Sequence, residues 1–286
     1  MPDNNPALVV IAAGGLGTRV HPWSQFIPKE FYPVAGRPGI TLLLQEISAL
    51  GAVRVAIVYH PYYEQFAKWG RQVLSPGGHV RYSREAGTNV PAAVPPGVTV
   101  SLIPQRGPYG DLTSVINGAD YLTARESLYT AFADNLYPAA SPIELLRHTT
   151  SSDVAVLASA YRRELAPTRG ILITTPAADG EPQQVQSLIE KPGQAQARAL
   201  EDKHGTANLL MLEGRARLTA SFIQFARNHQ QAAPGGEPKL ALALGAYARE
   251  HQVVAVPAKA NVIDLGGPAI TATRERSRPS VALSRM

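Results

Sequence analysis

The sequence predicts an α/β fold with a central mixed, mostly parallel sheet flanked by helices, and three observations predict it. Short apolar, β-branched runs alternate with helix-length segments along the chain. The first run ends in a glycine-rich turn, Ala13-Gly14-Gly15-Leu16-Gly17. Two later runs end directly in a carboxylate, at Asp134 and at Asp264. Strands buried on both faces read as continuous hydrophobic runs, and open sheets of this class bind ligands in the crevice beyond the carboxyl ends of their strands.

Taken in order, Leu8-Val-Val-Ile11 is the first strand. Thr41 to Leu50 reads as a helix stopped by Gly51, and Val53 to Tyr59 as the next strand, so the chain opens as a βαβ unit. Tyr62 to Leu74 is an amphipathic helix, Ser75 to Gly97 a Pro/Gly-rich irregular excursion, and Val98 to Ile103 a strand. A helix from about Leu112 to Leu122 precedes the strand Ser127 to Ala133. The second half supplies strands at Val154–Ser159, Arg169–Thr174, Val185–Ile189 and Asn208–Leu212. A helix near Thr219 to Gln230, a hinge at Pro234 to Pro238, a helix near Leu240 to Glu250 and strands at Val253–Val256 and Val262–Asp264 complete it. No repeat and no convincing linker divides the chain, which points to a single mixed-sheet domain over residues 1–270 and a basic tail over 271–286.

Composition narrows the chemistry. With 286 residues, 45% of them hydrophobic, the chain can build a large core. It contains no cysteine, which removes disulfides, thiolate nucleophiles and thiolate metal sites; a metal would have to be held by oxygen or imidazole, favouring a hard cation such as Mg2+. The seven histidines show no metal-ligand spacing. Net charge is +5, but the basic residues are scattered apart from the arginines near the C-terminus, so no basic stripe for nucleic acid exists. No apolar run is long enough to span a membrane, and Met1 to Pro6 has neither the positive start nor the apolar centre of a signal peptide; a cytoplasmic protein is expected.

The glycine turn matches neither the phosphate-loop pattern nor the dinucleotide fingerprint. For the glycines alone two readings stand: a plain strand-to-loop turn, and a cradle whose backbone N–H groups approach phosphate oxygens. Arg19 and Lys29, close by in sequence, would add fixed positive charge to such a cradle. Asp134 alone reads equally as a helix or turn cap; with Asp264 it makes the one or two carboxylates that magnesium usually takes from protein, its other positions filled by water and phosphate oxygens.

Four segments in fixed order carry a resemblance: Gly15-Leu-Gly-Thr-Arg19 with Ile27-Pro-Lys-Glu30; Pro95-Pro-Gly-Val-Thr-Val100 running on to Gln105; Ile189-Glu-Lys-Pro192; and Asp264-Leu-Gly-Gly267. Over residues 7 to 270 the chain resembles the sugar-1-phosphate nucleotidyltransferases and, among these, is most similar to the bacterial UTP–glucose-1-phosphate uridylyltransferases (UDP-glucose pyrophosphorylases). The resemblance implies a Rossmann-like, glycosyltransferase-A-like fold and transfer of a nucleotidyl group from UTP to glucose-1-phosphate with Mg2+. It further implies a nucleotide-binding half over 1–135, a sugar-phosphate-binding half over 136–270, and a homo-oligomer, dimer or tetramer. Carried over residue by residue, it gives Arg19, Lys29 and Lys191 catalytic roles and puts Ala13, Gly14, Gly15, Gly17, Gln105 and Gly110 at the nucleotide. On the same basis Gly170, Glu190 and Asn208 line the sugar site, and Asp134 and Asp264 hold the metal. Thymidylyl-, cytidylyl- or guanylyl transfer to another sugar or cyclitol phosphate, and a non-catalytic nucleotide-sugar-binding subunit, are the alternatives. Two departures bear on them. Arg106 follows Gln105 and Asp111 or Leu112 stands where glycine is expected, so a side chain would re-line the nucleotide pocket; and Thr168-Arg169-Gly170 puts a bulky cation where Tyr-Gly is common.

Overall fold

The computed structural model describes residues 5–34, 36–75, 78, 93–137, 140–149, 153–178, 180–228, 236–259 and 262–265. The tail, most of the excursion after Ser75, and Gly266-Gly267 lie outside the described residues. In chain order the strands are β1 (Ala7–Ala13), β2 (Pro33–Val34), β3 (Arg37–Pro38), β4 (Val53–Tyr59), β5 (Val98–Pro104), β6 (Ser127–Phe132) and β7 (Asn135–Leu136). They continue with β8 (Val154–Ala160), β9 (Gly170–Thr174), β10 (Gln183–Glu190), β11 (Leu209–Leu218), β12 (Val253–Pro257) and β13 (Ile263–Asp264). The helices are α1 (Gly39–Ile47), α2 (Glu64–Val73), α3 (Asp111–Ala119), α4 (Gln194–His204), α5 (Ala220–Asn228) and α6 (Leu240–Tyr247).

Nine strands form one mixed sheet in the order β5-β4-β1-β6-β11-β8-β12-β10-β9. The first four run parallel, as βαβ crossovers require. Beyond β6 antiparallel pairings prevail, with β8 and β12 the parallel exception, so the mostly parallel character belongs to the first half. The period of two explains the two core layers: Leu8 and Val10 face a cluster with Leu112, Val115, Phe222 and Leu244, while Val9 and Ile11 face one with Ile40, Leu43, Leu44 and Ile47. Helices α3, α5 and α6 thus cover one face and α1 the other. A smaller cluster joins α4 to β9 and β11 through Ala197, Leu200, Ile171 and Met211. Among the described residues no helix is long and apolar enough to cross a membrane.

Two local features shape the ligand crevice. Helix α3 runs from Asp111 to Ala119, ending earlier than the expected Leu122, with Leu112 fully in the core and Asp111 at the crevice. Strand β11 continues through Glu213-Gly214-Arg215 to Leu218 instead of stopping at Leu212, and its register against β8 shifts between Leu212 and Ala216. Such a bulge bends the strand and re-aims its side chains.

Candidate functional site

The carboxyl ends of β1 and β6 open onto a chamber of about 210 Å³, lined by Gly14, Gly15, Gly17, Arg19, Lys29, Gly110, Asp111 and Asp134 among others. A second chamber of about 290 Å³ is lined by Arg169, Gly170, Glu190, Lys191, Glu213 and Asp264. The two share Arg19, Asp111, Phe132 and Asp134, so they are halves of one crevice.

The glycine turn forms one wall of the first chamber. Gly17 has φ 61°, a left-handed conformation that glycine adopts without steric cost. Lys29 lies over the turn, its Cε 3.6 Å from where a Cβ on Gly15 would stand. Its ammonium pairs with the Asp134 carboxylate and sits 3.8 Å from Glu30 Oε1. Burial pulls the Lys29 ammonium down, but Asp134, Glu30 and Asp264 outweigh it and hold the group above the usual lysine value. Burial likewise pushes Asp134 up, and Lys29, with help from Arg19, reverses this and keeps the carboxyl below its ordinary range. The result is a carboxylate and an ammonium that hold each other charged at the strand end.

Asp264 approaches from the opposite side. Strands β7 and β13 pair antiparallel with Asp264 opposite Asn135, and Leu265 N donates to Asp134 O at 2.7 Å. The backbones of the two aspartates are therefore stapled together. Among the described residues no group of three or more carboxylate, imidazole or thiolate side chains converges as a metal cage.

In the second chamber Glu190 lies opposite Gly170 across β10 and β9, and a Cβ on Gly170 would come within 3.2 Å of Glu190 Oε2. Lys191 Nζ is 3.5 Å and Lys239 Nζ 3.9 Å from Glu190 Oε1. Lys191 has φ 49° and is the one non-glycine residue with positive φ among those described. A strained backbone of this kind, held by the Lys191 N–H bond to Arg169 O at 3.1 Å, persists where the surroundings over-determine it, often at functional sites.

The crevice leaves three of the expected site residues off its walls. Gln105 is buried beneath the turn, where Nε2 donates to Pro108 O at 2.9 Å and Oε1 accepts from Ser114 Oγ at 2.8 Å. Ala13 is buried on the apolar side of β1. Asn208 donates from Nδ2 to His204 O at 2.8 Å. Of the two departures in the nucleotide segment, Leu112 is in the core, and Arg106 is exposed and absent from the walls; Asp111 alone re-lines the crevice. Its carboxyl accepts from Leu240 N at 2.6 Å, and burial, reinforced by Glu190 and Glu237, pushes it up to about 7.

Glu213 is a site residue that the sequence reading missed. Its carboxylate accepts from Tyr137 OH at 3.0 Å, Ser159 Oγ at 2.7 Å and Arg169 Nη1 at 2.9 Å, fixing Arg169 in the second chamber. The signal was present in the alternation Glu213, Arg215, Arg217, which has strand period, but charged residues in a buried strand argue against a strand until their partners are known.

The family model of nucleotidyl transferases matches residues 8–262. The chain belongs to the nucleotidyl transferase family. Among curated proteins, this nucleotidyl transferase is 30% identical over 106 residues to a UTP–glucose-1-phosphate uridylyltransferase of Klebsiella pneumoniae, 35% of each chain. It is 36% identical over 75 residues to the bifunctional protein GlmU of Parvibaculum lavamentivorans, 26% of this chain and 16% of that one. The matched region thus spans about a third or less of these curated relatives. A UTP-bound UDP-glucose pyrophosphorylase from Acinetobacter baumannii superposes with a TM-score of 0.74 at 21% identity, covering 96% of this chain and 95% of the other. The nucleotidyltransferase fold, with its mixed sheet, is common to both.

Proposed function

We propose that this nucleotidyl transferase joins a nucleoside triphosphate, UTP before others, to a sugar-1-phosphate, glucose-1-phosphate before others, releasing pyrophosphate and a nucleoside-diphosphate sugar. The observation that carries the reading is the junction of the two chambers at Arg19 and Asp134, where two phosphate-bearing molecules laid end to end would meet. The Klebsiella uridylyltransferase and the UTP-bound Acinetobacter enzyme support uridine as the base.

A phosphate oxygen of the acceptor attacks the α-phosphorus. The new P–O bond forms as the bond to the bridging oxygen of the leaving pyrophosphate breaks, and the electron pair departs with pyrophosphate. No protein nucleophile is needed, because the attacking oxygen is already ionised at neutral pH. The task is to bring two anions together and align them. Residues 1–135 take the nucleotide, with the turn at Gly14, Gly15 and Gly17 around the phosphates and Arg19 and Lys29 countering their charge. Residues 136–270 take the acceptor: Lys191 holds its phosphate, and Glu190, given room by Gly170, accepts from ring hydroxyls.

Asp134 and Asp264 fit Mg2+ in chemistry: two hard oxygen donors on hydrogen-bonded backbones, one of them held ionised, with other positions left for water and phosphate. When bound, the ion supplies charge neutralisation at the reacting phosphates. Asp111 and Arg169 on the walls favour a second reading in which the base or the acceptor differs, such as thymidylyl or cytidylyl transfer or a cyclitol phosphate acceptor. A cytoplasmic, homo-oligomeric enzyme belongs to the same proposal and is open to light scattering on the purified protein.

Pyrophosphate release, measured with Mg2+ across a matrix of nucleoside triphosphates and sugar-1-phosphates, tests the function. Release is expected with UTP and glucose-1-phosphate, and silence from every pair refutes it. Asp134→Ala is expected to reduce turnover by about 10³-fold with the circular dichroism spectrum unchanged.

A further inference from the structure

We propose that Arg215 is a positioning residue: its buried guanidinium fixes the backbone that carries Asp134 and, through β7 and β13, Asp264, and so sets the geometry of the divalent-cation site. This inference rests on the assignment of those two aspartates to a metal.

The Arg215 side chain is fully buried on β11, paired with Glu46 of α1, which is 1% exposed. A guanidinium carries five N–H groups, and all five are engaged. Nε donates to Glu46 Oε1 at 3.0 Å and Nη2 to Glu46 Oε2 at 2.7 Å, a bidentate pair. Nη1 donates to Phe132 O at 3.2 Å and to Gly214 O at 2.9 Å, and Nη2 also to Asn135 O at 2.7 Å. Phe132 O and Asn135 O bracket Ala133-Asp134. Phe132 is the last residue of β6 and Asn135 the first of β7, so Arg215 spans the carbonyls on either side of the turn that carries Asp134.

The rest of the dipeptide is tied down independently. Ala133 N donates to Ala12 O at 3.4 Å, and Asp134 O accepts from Leu265 N. With both flanking carbonyls on one rigid fork, the Asp134 backbone has little freedom, and the Asp264 strand paired to it follows.

Two neighbours show that the approach is built for this. A Cβ on Gly214 would fall 2.8 Å from Asn135 Nδ2 and 3.0 Å from Phe132 Cβ, so β11 reaches the loop only because residue 214 has no side chain. The Tyr137 ring lies 5.0 Å from the guanidinium carbon, enclosing the cation. Stability alone does not account for the pair. A buried Arg–carboxylate pair replaced by apolar residues of similar volume is often neutral or stabilising, because both desolvation penalties vanish. The carbonyl contacts are what such a replacement loses.

The test compares wild type with Arg215→Lys and with the double variant Glu46→Met/Arg215→Met, the latter leaving no unpaired buried charge. Mn2+ binding in the presence of UTP is read by electron paramagnetic resonance without turnover, beside melting temperature and the KM for glucose-1-phosphate. The expected result for the double variant is a folded protein with a lowered melting temperature, because Phe132 O, Gly214 O and Asn135 O lose their donor, a near-wild-type sugar-phosphate KM, and Mn2+ affinity weakened about 10- to 100-fold. Lysine keeps the charge but has three donors, so Arg215→Lys is expected to lose Mn2+ affinity too, and it decides the matter should the double variant not fold. A variant that folds and binds Mn2+ as tightly as wild type overturns the positioning role. Wild type that fails to bind Mn2+ with UTP overturns the metal assignment itself, a distinguishable outcome.

Discussion

Glu30 lies directly behind the Lys29–Asp134 pair and is 1% exposed, yet neither carboxyl oxygen has a hydrogen-bond partner. Its surroundings include the apolar side chains of Phe31, Ile40, Ile57 and Phe66. Burial pushes its pKa from 4.5 up to about 7, with Lys29 pulling the other way. The unfolded chain releases this proton near 4.5, whereas the native protein keeps it until about 7. Over that window the native state binds more protons than the unfolded one, so stability falls as pH rises, and the loss is complete above the native value. A displacement of roughly 2.5 pH units, at about 1.4 kcal/mol each, amounts to about 3.5 kcal/mol, of which about 3 falls between pH 4 and pH 8.5. Glu30→Gln removes the titration while keeping the shape. Urea unfolding of both proteins at intervals from pH 4 to pH 8.5 should show wild type losing about 3 kcal/mol relative to the variant across that range. Asp111, pushed up in the same direction, contributes a slope that both proteins share. Parallel stability curves for wild type and Glu30→Gln would refute the reasoning, because they would mean that Glu30 ionises equally in both states.

Gly118 of α3 faces Val10 of β1, and an added Cβ would sit 2.4 Å from Val10 Cγ1 and 2.5 Å from Cγ2. Gly118→Ala should therefore destabilise the fold by about 1–3 kcal/mol in urea titration, despite alanine's better helix propensity. At Gly14 the added methyl would stand 2.2 Å from Gln105 Oε1 and displace it from Ser114 Oγ. The expected consequence of Gly14→Ala is a KM for UTP raised about tenfold with the glucose-1-phosphate KM unchanged, by steady-state kinetics. Glu213→Gln weakens the charged contact to Arg169, and the mirror-image result is expected: a glucose-1-phosphate KM raised about tenfold and a UTP KM left alone.

What could be read from the chain was what is local. The β1 strand, its glycine turn and the aspartate after β6 announce themselves by composition and adjacency, and the structure sets the turn, Lys29 and Asp134 around one chamber. The register of α3 was not legible, because one residue of shift exchanges Asp111 and Leu112 between crevice and core, and only the packing of Leu112 against the sheet decides which way they turn. Gln105 was expected at the nucleotide and instead lies off the crevice walls, because the hydrogen bonds that orient its amide come from Pro108 and Ser114 in the loop and helix that follow.

The charged stretch of β11 shows the deeper reason. Glu213 and Arg215 look like a strand terminus because an isolated buried charge is prohibitive, and each is admissible only with its partners: Tyr137, Ser159 and Arg169 for one, Glu46 for the other. Glu46 is 169 positions away in sequence, on a helix whose apolar periodicity gives no hint of an inward carboxylate. Each charge thus breaks a local rule that its distant partner restores. Of the three buried charges of β11, Glu213 holds Arg169 and Arg215 the carbonyls around Asp134, whereas Arg217 donates to Thr149 O and Asp153 O, away from the crevice. In this strand a local misfit therefore marks a long-range partner: two of the three charges reach the crevice, while Arg217 fastens the segment that leads into β8, so the misfit becomes a pointer to the site only once its partner is known.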